Sequence, residues 1–326
     1  MNLVQIIRGM RDRADAPRGR RPVSRLRVET GGIVRGDELV RLSGASLFWP
    51  NLQPHLFCAQ TVQWLARDWR LNLIRVPIGI APEGPPMMLS DAVALAKRVI
   101  DAAIAEDIYV LVDWHAHDEL AEGAYCLASL AEHYRDQPNI LYETWNEPAP
   151  RFGWDTIRTY HEKVIDAVRV HAPSALIVAG TPEHSKRVDT AALAPLARPN
   201  IAYALHFYAG THREGLRARA RAALSRGLTL LASEWGACEA NGDGLTDWAE
   251  ANRWLAFLKQ YGVGDITWAI SSKQEASSAL RARSKAVSGW GRSDLTPAGR
   301  FHRSRLRAAS DWRITPALIR GSHVEP

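Results

Sequence analysis

Eight short apolar runs, each followed by a stretch of different periodicity, constrain the fold of this chain more than any other feature. Strands are expected at residues 39–46, 73–77, 109–113, 140–144, 175–179, 201–206, 229–233 and 266–269. Between them, apolar residues recur at helical spacing over 60–69, 90–106, 121–134, 156–171, 188–193, 214–225 and 246–261, with Ser90 and Thr246 placed as N-caps. Strands that alternate with helices pair in parallel, and eight such units over about 250 residues match a closed (β/α)8 TIM barrel, an α/β fold. A doubly wound sheet is the alternative, but no glycine-rich phosphate fingerprint follows the first strand. A short N-terminal hairpin, residues 26–29 with 34–39 around Gly31, Gly32 and Gly36, is expected to plug the barrel bottom.

Polar residues support the barrel independently. Arg75, Asp113, Glu147, His206, Glu234 and Trp268 stand at or near strand ends, and the gaps between them are 38, 34, 59, 28 and 34 residues. The gap of 59 spans two units, because the strand at 175–179 lies inside it. Every interval is thus one or two repeats, and these side chains are expected to converge on the barrel face that carries active sites.

Composition bounds the reading. The chain has 326 residues, 46% of them hydrophobic, enough for one large core. Residues 1–27 hold eight arginines against Asp12 and Asp15, which accounts for the whole formal charge of +6. The body therefore carries no basic excess for a nucleic-acid groove, and residues 1–25 read as a basic, flexible leader. The barrel is assigned to residues 26–310 and a C-terminal tail to 311–326. The leader lacks the apolar core of an ordinary signal peptide, and no segment approaches a membrane span. Cys58, Cys126 and Cys238 fit no disulfide or metal-finger spacing and are read as free. Twelve Trp against six Phe is a skewed usage; such rings fill cores and also stack on sugar faces.

Glu147, in Tyr142-Glu-Thr-Trp-Asn-Glu-Pro148, and Glu234, in Leu231-Ala-Ser-Glu-Trp-Gly236, each end a strand-like run. Two carboxyls delivered by different strands suit glycoside hydrolysis, one as acid and base and one as nucleophile. Pro148 holds Glu147 in extended backbone, and apolar surroundings such as Trp145 are expected to raise its pKa. Arg75 is the expected cation beside Glu234, and Tyr208, two residues from His206 on the same strand face, can reach the nucleophile. A competing reading is a metal held by the His-x-His of His115 and His117. It is disfavoured because the other strand ends offer Glu with Trp, Asn and Tyr rather than His and Asp.

The segments Leu42-Ser-Gly-Ala-Ser-Leu-Phe-Trp49, Leu73-Ile-Arg-Val-Pro77, Tyr109-Val-Leu-Val-Asp-Trp-His115 and Leu141-Tyr-Glu-Thr-Trp-Asn-Glu-Pro148 occur in order. They are followed by Ala204 to His212, Ser233-Glu-Trp-Gly236, and Trp268 to Lys273 with Ser277 to Leu280. In this set the chain resembles glycoside hydrolase family 5, and within it the bacterial endo-β-1,4-glucanases. The resemblance implies Glu147 as acid and base and Glu234 as nucleophile of a retaining double displacement. Arg75, His115, Asn146, His206 and Tyr208 are implied as support around them. It further implies that Asn146 meets a sugar 2-hydroxyl, Trp268 floors the cleavage subsite, Lys273 contacts a neighbouring sugar and Trp49 stacks on another. No metal or other cofactor is implied for the chemistry. His184 stands where the related cellulases usually carry a stacking Trp.

The expected partner is a β-glucan polysaccharide or cello-oligosaccharide, soluble or amorphous rather than crystalline, since no binding module or linker is visible. The same chemistry on mannan, xyloglucan or mixed-linkage glucan is the alternative, with a non-catalytic sugar-binding barrel behind it. A monomer, secreted or in the cell envelope, is expected from such a substrate.

Overall fold

The computed structural model describes residues 23–29, 32–118, 121–135 and 137–308. The leader and tail expectations fall almost wholly outside these residues, as does Gly31. Among the described residues, β1 (Leu26–Glu29), β2 (Gly32–Arg35) and β3 (Glu38–Leu39) form a small antiparallel sheet. Eight strands then close in sequence order: β4 (Ser43–Leu47), β5 (Leu73–Ile78), β6 (Tyr109–Trp114), β7 (Ile140–Glu143), β8 (Ile177–Ala179), β9 (Ile201–Tyr208), β10 (Leu230–Gly236) and β11 (Gly264–Ile270). All eight neighbours pair in parallel, with β11 returning to β4.

Apart from short turns at Pro54–Leu56 and Pro182–Ser185, the helices among the described residues are α1 (Ala59–Trp64), which runs on into a wider turn at Leu65–Trp69, α2 (Leu89–Ala105), α3 (Ala121–His133), α4 (Trp154–Arg169), the single turn α5 (Val188–Ala191), α6 (Glu214–Ser225), α7 (Trp248–Gln260) and α8 (Pro297–Ala308). Seven match the expected segments. The eighth, α8, escapes the sequence reading because its arginines mask the apolar stripe. Leu306 and His302 are buried nonetheless, while Arg303 holds Asp68 at 2.6 Å and Arg305 holds Asp265 at 2.8 Å. Pro297 opens this helix, where its missing N–H costs nothing. Neither expected N-cap is found. Ser90 lies inside the first turn of α2, behind Met88, and α7 is capped by Asp247, whose Oδ1 accepts from Glu250 N at 2.9 Å. The charged acceptor suits the positive end of a helix better than the neighbouring threonine hydroxyl.

Alternation along the strands divides the core. One set of side chains packs outward against the helices, among them Val76, Val112, Tyr142, Ile177 and Phe207. The other fills the lower barrel interior, where Leu73, Leu111, Leu141, Leu231 and Ile266 meet Leu26 and Ile33 of the hairpin sheet. The hairpin therefore closes the barrel foot, as its sequence position suggests, and leaves the opposite end free for polar groups. Leu26 is 2% exposed, so Leu26→Ala is expected to destabilise the fold by about 2–5 kcal/mol, the cost of a core cavity. A urea unfolding midpoint unchanged from wild type would show that the plug contributes nothing.

Candidate active site

Arg75 projects from β5 into the barrel and has no solvent exposure. Its Nε donates to Glu143 Oε2 at 2.7 Å, Nη1 to Glu234 Oε2 at 2.9 Å and Nη2 to Asn146 Oδ1 at 2.5 Å. Nη2 also lies 3.0 Å from Asp113 Oδ2. Burial by itself would disfavour the guanidinium charge, but the surrounding carboxyls outweigh it and raise its pKa. At Asp113 the balance goes the other way, and burial pushes the carboxyl well above its ordinary range despite Arg75. Asp113 Oδ2 meets His115 Nδ1 at 2.6 Å, and burial, with Arg75 nearby, lowers the His115 pKa to about 3.

A second line of hydrogen bonds crosses from Glu143 to Glu147. Ser233 Oγ donates to Glu143 Oε1 at 2.6 Å. With that proton committed, Ser233 Oγ accepts from His206 Nε2 at 3.0 Å, and His206 Nδ1 meets Glu147 Oε1 at 2.9 Å. Both ring nitrogens then donate, which describes an imidazolium. The electrostatics agree: burial lowers the His206 pKa, but Glu143 and Glu147 outweigh it and raise it to about 9.

Glu147 departs from the sequence expectation. Burial favours its proton, yet His206 first, then His117 and His184, hold the carboxyl down at about 2. Its supposed apolar neighbour is elsewhere: the Trp145 ring is fully buried in the layer between sheet and helices, against Phe152 and Tyr160. The Glu147 side chain instead keeps 17% of its surface exposed in the cleft.

Other candidates gather at the same end of the barrel. Tyr208 donates to Glu234 Oε1 at 2.7 Å, and its pKa is pushed well above normal by burial and by Glu234. Phe48, Trp49, Trp268 and Lys273 line the cleft above the two glutamates. The His115 ring stacks on Trp268 with centroids 5.0 Å apart and meets Trp49 edge-on at 4.3 Å. Lys273 Nζ lies 2.8 Å from Glu275 Oε2, so a sugar contact by this ammonium shares it with a carboxylate. His184 approaches Glu147 Oε2 to 3.6 Å from the loop after β8 and is not among the residues lining the cleft.

Among the described residues, no cluster of three metal-ligating groups holds both His115 and His117. His115 is committed to Asp113, and among the described residues the triads spaced for a metal are His117 with Glu147 and His184, and Glu147 with His206 and Glu234. Sequence reasoning overlooked Glu143 and Ser233. Both signals were present: a carboxyl within the apolar run Ile140-Leu-Tyr-Glu143, and a hydroxyl beside Glu234 in a buried strand.

Two outcomes follow for stability. Arg75→Ala leaves Asp113, Glu143 and Glu234 without their buried cation and is expected to cost about 3–5 kcal/mol, read from denaturant unfolding. His206 has its pKa raised from 6.5 to about 9 by folding, so its contribution is full below pH 6.5 and is lost as pH rises through about 9. Melting temperatures of wild type should fall across that window, and those of His206→Gln should fall less; parallel curves would refute the charged imidazole.

The model of the cellulase family (glycosyl hydrolase family 5) matches residues 34–274. Endoglucanase Z of Dickeya dadantii (strain 3937) is 37% identical over 272 residues, covering 81% of this chain and 63% of the relative. The chain thus spans less than two thirds of that protein's length. A solved chain from Cytophaga hutchinsonii superposes with a TM-score of 0.85 at 34% identity, over 88% of this chain and 96% of its own. The catalytic domain of a Thermobifida fusca endoglucanase gives a TM-score of 0.82 at 26% identity, over 87% of this chain and 97% of its own. A variant of that endoglucanase has been solved in complex with cellotetraose. With a family match over most of the barrel and the same architecture in solved relatives, the chain belongs to glycosyl hydrolase family 5, the cellulase family.

Proposed function

We propose that this protein is a retaining endo-β-1,4-glucanase that cleaves internal bonds of cellulose or related soluble or amorphous β-glucans by double displacement. One observation carries the reading: an oxygen of Glu147 and an oxygen of Glu234 lie within 4.8 Å of each other, with His206 in the same cluster. Retaining glycosidases hold their carboxyl groups about 5–5.5 Å apart and inverting ones about 6.5–9.5 Å, and so close an approach of two oxygens favours the shorter spacing. The endoglucanase names of the relatives and the cellotetraose complex of the Thermobifida fusca protein point to the same substrate class. A polymer of this kind lies outside the cytoplasm, so the reading includes export to the cell envelope or medium.

In the first step the Glu234 carboxylate attacks the anomeric carbon while Arg75 and Tyr208 hold its two oxygens in place. The glycosidic bond breaks, and the leaving oxygen takes a proton from Glu147. In the free enzyme that proton rests on His206, bonded to Glu147 Oε1. A sugar seated on the exposed part of Glu147 excludes water from the carboxyl, which favours its neutral form and draws the proton to the glutamate. In the second step Glu147 takes a proton from water, whose oxygen displaces Glu234 and regenerates the anomeric configuration of the substrate.

Viscosity loss and reducing-end release on carboxymethylcellulose test this together. Wild type should lower viscosity early relative to sugar release, and Glu234→Ala should abolish both. Glu147→Ala should lose about 10²–10⁴-fold on polymer yet retain the first step on a dinitrophenyl cellobioside, whose leaving group needs no proton. Azide should then rescue turnover and yield the β-glycosyl azide. Near wild-type hydrolysis by Glu234→Ala would sink the mechanism, and faster action on mannan or mixed-linkage glucan would move the substrate within it.

A further inference from the structure

Glu147 uses one carboxyl oxygen inside the barrel and turns the other toward two imidazoles. Oε1 is bonded to His206, while Oε2 stands 3.6 Å from His117 Nδ1 and 3.6 Å from His184 Nδ1. At that distance neither contact is a hydrogen bond. His184 Nδ1 is moreover buried with no hydrogen-bond partner. The donor atoms of His117, Glu147 and His184 all lie within 4.8 Å of one another. Two imidazole nitrogens and one carboxylate oxygen are a zinc-class donor set. Bonds of about 2.0–2.2 Å in a tetrahedron place neighbouring donors roughly 3.3–3.6 Å apart. Each imidazole Nδ1, at 3.6 Å from Glu147 Oε2, thus stands at about the donor spacing of a shared ion, and both rings keep solvent access, 43% for His117 and 35% for His184.

The backbone holds the three ligands together. Glu147 N donates to Ala116 O at 3.3 Å, Ala149 N to His117 O at 3.1 Å and His184 N to Pro148 O at 2.9 Å. Ser185 Oγ donates to Asn146 O at 2.7 Å. Glu183, His184 and Ser185 have φ of 58°, 60° and 55°, three consecutive left-handed residues without a glycine. Such a run persists only where the surroundings over-determine it, and here those bonds do so while aiming His184 at the acid.

We propose that His117, Glu147 and His184 form a binding site for a zinc-class divalent ion, which inhibits hydrolysis by occupying Glu147 Oε2. The ion leaves the His206 bond to Oε1 intact and keeps a fourth position for water. It takes the oxygen that is free to present a proton to the leaving group. The inhibitory half rests on the role of Glu147 in the proposed function; the binding half does not.

Calorimetric titration of the full chain with zinc chloride at neutral pH tests the site directly, using wild type, His117→Ala and His184→Ala matched by circular dichroism. His184→Gln stands in if the alanine variant does not fold. One ion per wild-type chain, removable with EDTA, is expected, with at least a tenfold loss of affinity in each variant. In parallel, zinc should slow wild-type hydrolysis with the midpoint of the binding curve, and EDTA should restore it. Each variant, compared with its own zinc-free rate, should need correspondingly more zinc. Equal zinc affinity in all forms, or no binding at millimolar zinc, would overturn the site. Histidine-dependent binding that leaves hydrolysis unchanged would overturn the inhibition. A zinc-free enzyme inert on every β-glucan would count against the proposed function, while the calorimetry would still decide the site.

Discussion

One guanidinium, from Arg75, ties together side chains of β6, β7 and β10 and the Asn146 loop at the centre of the barrel. A buried charge is costly unless its partners saturate it, and the fork of an arginine saturates several at fixed angles where a lysine ammonium would not. The arrangement fixes where Glu234 and Asn146 stand relative to each other. Glu143, braced on the same guanidinium, anchors Ser233, which orients His206, which in turn holds Glu147. The two glutamates of the proposed reaction are therefore coupled through a continuous chain of hydrogen bonds that begins and ends in the cleft.

The two glutamates differ in access. Glu234 is nearly enclosed, with both oxygens committed to Arg75 and Tyr208. Glu147 is the more exposed and has one oxygen committed, so its proton affinity is open to whatever enters the cleft. A nucleophile benefits from the first condition. An acid that must give up and retake a proton within one turnover, the role proposed for Glu147, benefits from the second.

Much of this was legible in the sequence. The eight strands and the converging markers follow from periodicity and spacing, because parallel strands buried on both faces must be continuous apolar runs. A polar residue ending such a run has only the barrel mouth to face. Less legible was anything that depends on which neighbour a side chain meets. Trp145 is two residues from Glu147, yet its ring packs against Tyr160 of α4, so the expected rise in the Glu147 pKa becomes a fall set by three histidines distant in sequence. Glu143 and Ser233 read as strand residues because their partners, Arg75 and His206, come from other strands. His117 finds His184 rather than His115 for the same reason.

The most consequential of these details lies in the backbone of β10. In a regular strand Ser233 and Glu234 would face opposite sides of the sheet. Here both point inward, Ser233 to Glu143 and His206, and Glu234 to Arg75 and Tyr208. The pairing of β10 with β9 shifts register between Leu231 and Glu234, and its pairing with β11 shifts between Ala232 and Trp235. A bulge at this point re-aims one residue without ending the strand. It lets a single strand serve both halves of the hydrogen-bond chain. A strictly alternating β10 would bring either the Glu234 carboxylate or the Ser233 relay into the barrel, and the coupling between the two glutamates needs both.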